Sequence, residues 1–123
     1  MQRHFRTLFA AAAIFLLAAG AALAHHGWSW TTGKNIDLIG IVKTAKLGNP
    51  HGVLTVDVEG EIWTVEVGQP WRNEQAGLKP ADMAPGKEIR VIGEPSSNIN
   101  DKLLKAEKIY IKGREHNLYP DRN

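Results

Sequence analysis

Residues 52–78 read GVLTVDVEGEIWTVEVGQPWRNEQAGL, and the pattern changes twice within them. In GVLTVDV and EIWTVEV, residues 52–58 and 61–67, apolar and polar side chains alternate. Leu54, Val56 and Val58 therefore share one face of their strand, and Trp63, Val65 and Val67 share one face of the next. Glu59-Gly60 between the two runs is a tight hairpin turn, with Gly60 supplying the positive φ that such a turn demands. The period of two then stops. PWRNEQAGL, residues 70–78, opens on a proline suited to the first helical position and ends near Gly77, which predicts one short helix.

Outward from this block the chain stays β-rich. Residues 36–44, IDLIGIVKT, carry apolar side chains on both faces around Gly40, the mark of a strand that is strongly curled or bulged. Pro85-Gly86 is a turn pair that launches KEIRVIG, residues 87–93, with Ile89 and Val91 pointing one way. After the polar loop EPSSNIND comes KLLKAEKIYIK, residues 102–112, where Leu104 and Ala106 are in one phase and Ile109 and Ile111 in the other. That change of phase asks for a bulge near Glu107. Three strands, a helix and two more strands make an all-β domain with one short helix, a five-stranded OB-like barrel over residues 36–112. An SH3-like barrel or an open meander would use many of the same strands; the helix between the third and fourth favours the OB order.

The N-terminus has a different character. Met1 to Arg6 is short and basic, Thr7 to Ala21 is almost wholly apolar, and Ala22-Leu23-Ala24 has the small-x-small form of a signal-peptidase site. Residues 1–24 are therefore expected to be a cleaved signal peptide and the protein periplasmic, touching the membrane only through that leader before cleavage. Cleavage would make His25 the first residue of an N-terminal segment, 25–35, ahead of the barrel and a C-terminal tail, 113–123. It would also remove Arg3 and Arg6, so that the precursor's 15 basic residues fall to 13 against 13 acidic ones. A formally neutral chain lacks the concentrated Lys/Arg surface that a nucleic acid demands, and no nucleic-acid partner is expected. Cysteine is absent, so neither disulfides nor thiolate metal sites are available.

Nitrogen donors are what the exported chain offers. The new α-amine and the imidazole of His25 would chelate one ion, with a further imidazole from His26 or from His51 in GNPHG; a nitrogen-rich set of this kind suits copper, in the form Cu(II), best among the transition metals. The plainer readings are a mobile polar terminus for His25 and His26, and a hydrogen-bonded turn histidine for His51. Trp63 reads as core and Trp71 as a cap on the barrel from the helix start. Trp28 and Trp30 either pin the N-terminal segment or form a surface for a small ligand or a periplasmic partner protein. Catalytic patterns are poor: no Gly-x-Ser-x-Gly occurs, and Asp57, Glu61, Glu66 and Glu74 read as solvated carboxylates. The expectation is a non-catalytic binding protein and not an enzyme.

Two resemblances bear on function. His116 and Tyr119 in GREHNLYPDRN resemble the haem-holding pair of the periplasmic haem chaperone of cytochrome c maturation, although their spacing is one residue tighter and those chaperones keep their membrane anchor; the plainer reading is a solvated tail. More broadly, AHHGW at the mature start, GNPH after the first strand, the Trp-bearing third strand, GLKPADMAPGKEIRVIG and LLKAEKIYI together resemble a family of small exported bacterial proteins classed only as a domain of unknown function. That resemblance implies an OB-like barrel and a periplasmic location and brings no activity with it. His25, His26 and His51 match its pattern without inheriting a role.

Overall fold

The computed structural model describes residues 27–122. The chain divides into two units, Met1–Trp30 and Thr31–Asn123. The expected leader, with His25 and His26, lies outside the described residues. Gly27 to Trp30, which include Trp28 and Trp30, form a turn in the first unit.

The second unit holds β1 (Ile36–Lys46), β2 (Val53–Val58), β3 (Glu61–Glu66), the helix α1 (Pro70–Gln75), β4 (Glu88–Pro95), β5 (Leu103–Ile111) and β6 (Arg114–Asn117). The strands are ordered β3-β2-β1-β4-β5-β6, and a parallel pairing of β3 with β5 closes the first five into the OB-like barrel that the element order foretold. Among the described residues no helix is long and apolar enough to cross a membrane.

Each step of the pattern has its structural counterpart. Glu59 and Gly60 both adopt positive φ, 52° and 88°, the geometry of a type I′ turn, and they set a register running from Val58 opposite Glu61 to Val53 opposite Glu66. That register turns Leu54, Val56, Trp63 and Val65 into the barrel, where Ile89, Val91, Leu104, Ala106 and Ile109 meet them. β1 changes partner along its length, from β4 at Ile36–Ile41 to β2 at Ile41–Lys46. A side chain at Gly40 would collide with the Asp57 carbonyl and with Val56 and Val58, so only glycine lets the curled strand pass this close. The expected bulge in β5 is present: Ile92 pairs with Lys108 but Gly93 pairs with Ala106, leaving Glu107 as the extra residue. One added residue moves Ile109 onto the face of Leu104 and Ala106.

Two expectations fail. Trp71 does not cap the barrel; it is 52% exposed, because α1 turns Asn73 inward and leaves Leu78 and Met83 to close that end. Nor do residues 113–122 of the expected C-terminal tail, 113–123, lie free in solvent. Lys112 and Gly113, at φ 51° and 79°, make a second tight turn into β6, which pairs with β5 from Ile111–Arg114 to Lys108–Asn117 and buries His116 and Leu118.

Candidate functional site

The registers align side chains in rows across the outside of the barrel. Ile41, Asp57 and Ile62 form one row over β1, β2 and β3, and Thr44, Thr55 and Thr64 form the next, with the Thr44 and Thr55 hydroxyls 2.6 Å apart. The third row carries charge over five strands: Lys46, Val53, Glu66, Lys105 and Glu94. On β1 to β3 these rows hold no aromatic ring, and they set one cation, Lys46, against the carboxylates of Asp57 and Glu66.

His51 sits at the end of the third row. It precedes β2 by two residues, on the side of Val53, and its ring reaches the carboxylate diagonally across the hairpin. Its Nε2 is 3.3 Å from Glu66 Oε1, and its Nδ1 is 3.3 Å from the carbonyl oxygen of Gly52. The His51 side chain keeps 27% of its surface accessible and Glu66 keeps 15%. Both ring nitrogens thus face acceptors. A neutral imidazole owns one N–H and satisfies one of them, leaving a lone pair aimed at the other. Among the described residues, no group of three or more His, Asp or Glu side chains is placed to hold a metal, and His51 and Glu66 stand as a pair. Glu66, expected to be solvated, is the functional candidate that the sequence reading missed. The hairpin register that places position 66 beside position 53 was the signal that could have found it.

A second polar cluster is buried further along. Glu94 and Glu107 are 3% and 4% exposed. Glu94 Oε1 accepts the Thr31 hydroxyl at 2.6 Å and the Gly33 N–H at 3.0 Å, while Arg122 closes on Glu94 Oε2 and stands 3.5 Å from Glu107 Oε1 through its Nε. Burial lowers the pKa of the Lys105 ammonium; Glu66 and Glu94 oppose that shift and Arg122 and Arg72 add to it. Burial raises the Tyr119 hydroxyl, against the pull of Arg72. The Arg72 guanidinium lies 4.3 Å from the Tyr119 ring centre and 4.6 Å from that of Trp71, and donates to the Leu118 carbonyl at 3.0 Å. His116, offered as a haem ligand, is 4% exposed with Nδ1 2.9 Å from the Ala76 carbonyl, and Tyr119 is half-buried under Arg72. These contacts tie the chain end to the barrel. They give a haem iron no open approach to the imidazole.

A groove of about 430 Å³, with Leu47, Pro70, Leu78, Pro80 and Met83 among its lining, runs beside α1. Its walls are apolar, and Glu74 and Lys79 stand on its rim.

Comparison with known proteins adds family and fold. The chain belongs to a family of unknown function, DUF6152, whose model matches residues 13–105. No curated protein matches it. Among solved structures it is similar to a chain of the S. pombe Stn1–Ten1 complex, with 22% identity and a TM-score of 0.51 over 63% of this chain and 57% of that one. It is also similar to TiaS in complex with a transfer RNA, AMPCPP and agmatine, with 16% identity and a TM-score of 0.49 over 63% of this chain and 18% of TiaS. The chain spans less than two thirds of either neighbour's length, and its likeness to the Stn1–Ten1 chain is one of fold.

Proposed function

We propose that this member of the DUF6152 family is an exported, non-catalytic binding protein of the periplasm that takes up a transition metal ion, copper best, through His51 and the nitrogens of His25 and His26. The observation that carries this reading is the setting of His51, whose two ring nitrogens face a carbonyl and a carboxylate at the accessible end of the hairpin. A metal ion at Nε2 would leave Nδ1–H to donate to the Gly52 carbonyl. Carbonyl acceptors behind ligand imidazoles fix the tautomer and orient the ring in this way. In the precursor the nitrogen of His25 is an amide; peptidase cleavage turns it into an α-amine with an ordinary pKa of about 7.7–8.0, which a metal readily deprotonates. The site would be completed in the compartment where the metal is met.

Metal analysis of the protein purified from the periplasm, followed by Cu(II) titration, tests this. The expected results are an intact mass that starts at His25, a d–d absorption band at one equivalent, and loss of affinity in His51→Ala. A chain that starts at Gly27 or keeps its leader, or a protein that binds no Cu(II), overturns the reading. A second reading, a docking face for a partner protein, is favoured by the exposed Ile41 and Ile62 that flank Asp57; the surface expected at Trp28 and Trp30 is a separate candidate of the same kind. Metal-free capture of a partner that is lost in Ile62→Ser, with no Cu(II) binding, would put that reading first. The absence of stacking rings from the rows on β1 to β3 supports neither DNA nor RNA as a ligand.

A further inference from the structure

We infer that the outward face of β1 at Ile39 is the contact surface of a weak two-fold dimer, in which Glu59 of one copy pairs with Lys112 of the other. Such a contact needs no metal, and its partner is a second copy of this chain.

Ile39 is the most exposed isoleucine on the barrel strands, with 56% of its surface in water, because β1 turns Gly40 and Val42 inward and sends Ile39 and Ile41 out. The surface is hollow on either side of it. One hollow, of about 530 Å³, has Asp37, Val58 and Glu59 in its lining; the other, of about 320 Å³, has Glu88, Tyr110 and Lys112, and both are lined by Ile39 and Arg90. With Arg90 counted in each, the first carries two carboxylates against one cation and the second two cations against one carboxylate. Among the described residues neither Glu59 nor Lys112 has an ion pair.

A surface that is acidic on one flank and basic on the other complements itself. A two-fold axis running along β1 at Ile39 exchanges the flanks, so it sets Glu59 over the partner's Lys112, and Lys112 over the partner's Glu59, with the two Ile39 side chains together between them. Each hollow then receives the charged side chain of the opposite copy.

The floor of the contact is fixed in advance. Arg90 Nε donates to both carboxylate oxygens of Asp37, at 3.0 and 3.1 Å, and its guanidinium lies 5.0 Å from the centre of the Tyr110 ring. Side chains already held in this way lose little freedom on contact, and arginine and tyrosine are residue types enriched at interfaces. One isoleucine and a pair of exposed ion pairs make a small contact, so dissociation is expected at about 10–100 μM. The charges set register and choice of partner more than affinity.

Sedimentation velocity from about 10 μM to about 1 mM, with a chelator present, tests this on the purified protein and on Ile39→Ser, Glu59→Lys and Lys112→Glu, each checked for fold by circular dichroism. Glu59 and Lys112 share the left-handed backbone, at φ 52° and 51°, so exchanging their side chains adds no new strain. Each of the three variants should weaken the dimer by about tenfold or more. An equimolar mixture of Glu59→Lys and Lys112→Glu should restore it, because a mixed dimer sets opposite charges together at both contacts. A protein that stays monomeric to about 1 mM overturns the proposal, and so does a dimer that none of the three variants weakens. Single variants that weaken the dimer, with a mixture that does not recover, overturn the pairing of Glu59 with Lys112. Should a single variant not fold, carbodiimide cross-linking of mixed isotope-labelled and unlabelled protein decides: a Glu59–Lys112 link between copies supports the dimer, and its absence overturns it.

Discussion

The β2–β3 and β5–β6 hairpins turn in the same way and are held by different forces. Each has a two-residue turn with a charged residue and a glycine at positive φ, Glu59-Gly60 in the first and Lys112-Gly113 in the second. The first joins two six-residue strands whose inward side chains, Leu54, Val56, Trp63 and Val65, are almost wholly buried. The second joins β5 to a four-residue strand of sequence REHN that contributes one buried side chain, His116, and is followed by the buried Leu118. What keeps it in place is polar: Nδ1 of His116 at the Ala76 carbonyl, Lys108 at 3.6 Å from Glu115, and Arg122 against Glu94 and Glu107. A hairpin can be specified by apolar alternation or by buried polar pairing. Alternation is the form that can be read along one strand.

The largest effect should come from the apolar hairpin. Leu54 is 0% exposed, and Leu54→Ala deletes methyl groups from the closed centre of the barrel. Denaturant unfolding should show a loss of about 2–5 kcal/mol. A loss under about 1 kcal/mol would mean that the core repacks and that the contrast between the hairpins is misdrawn.

The polar end comes second. Arg122→Ala leaves Glu94 and Glu107 buried without their shared cation, and the expected loss is about 2–3 kcal/mol, reduced from the fully buried case because Arg122 keeps 35% of its side-chain surface in water. The signature is rescue: adding Glu107→Gln to Arg122→Ala should recover part of the loss, since it removes one uncompensated charge. Strictly additive losses in the double variant would show that the two groups are not coupled.

These two regions explain what was legible in the sequence. The barrel, its closing order and the bulge at Glu107 follow from alternation and its change of phase, because apolar burial imposes a period on the chain. β6 is not legible in this way because Arg114, Glu115 and Asn117 carry no such period, although Lys112-Gly113 has the same form as Glu59-Gly60. His51 was recognised from its turn, but its partner was not: Glu66 differs from Asp57 and Glu61 by its register across the hairpin, which composition does not display. Trp71 differs for the opposite reason, since a large aromatic at a helix start reads as a cap on the barrel, whereas α1 turns Asn73 inward and leaves Trp71 exposed. His25 and His26 belong to residues that only their chemistry describes.

A smaller effect concerns Lys105, on β5 of the second hairpin, where it pairs with Glu66 of the first. Its folded pKa is lowered, burial being the main cause. Between that value and the ordinary 10.5 the unfolded chain binds more protons than the folded one, so this residue contributes stability that rises with pH across that window. Tyr119 acts the other way, because a raised phenol pKa makes stability fall as pH climbs beyond about 10. In a Tyr119→Phe background, Lys105→Met should flatten the rise approaching pH 10.5. An unchanged slope would show that the ammonium is better solvated than its burial implies.

The smallest effect bears on the turns themselves. Glu59 and Lys112 hold left-handed backbone conformations that a side chain with a free Cβ tolerates poorly, whereas asparagine accepts them more readily and is preferred at the first position of a type I′ turn. Glu59→Asn and Lys112→Asn should each stabilise by about 0.5 kcal/mol, within the range of such backbone effects. The comparison between them matters more than either value. Glu59 has no ion pair of its own among the described residues, and Lys112 none either, so neither change removes a salt bridge that would mask the gain. Equal gains mean that both turns are fully formed in the folded state and that β6 is as much part of the native structure as β3. A gain at position 59 with none at position 112 means that the second turn opens before the barrel does, in which case hydrogen exchange at the Leu118 N–H, bonded to the Glu107 carbonyl at 2.8 Å, should be faster than at the Val56 and Val65 amides of the core.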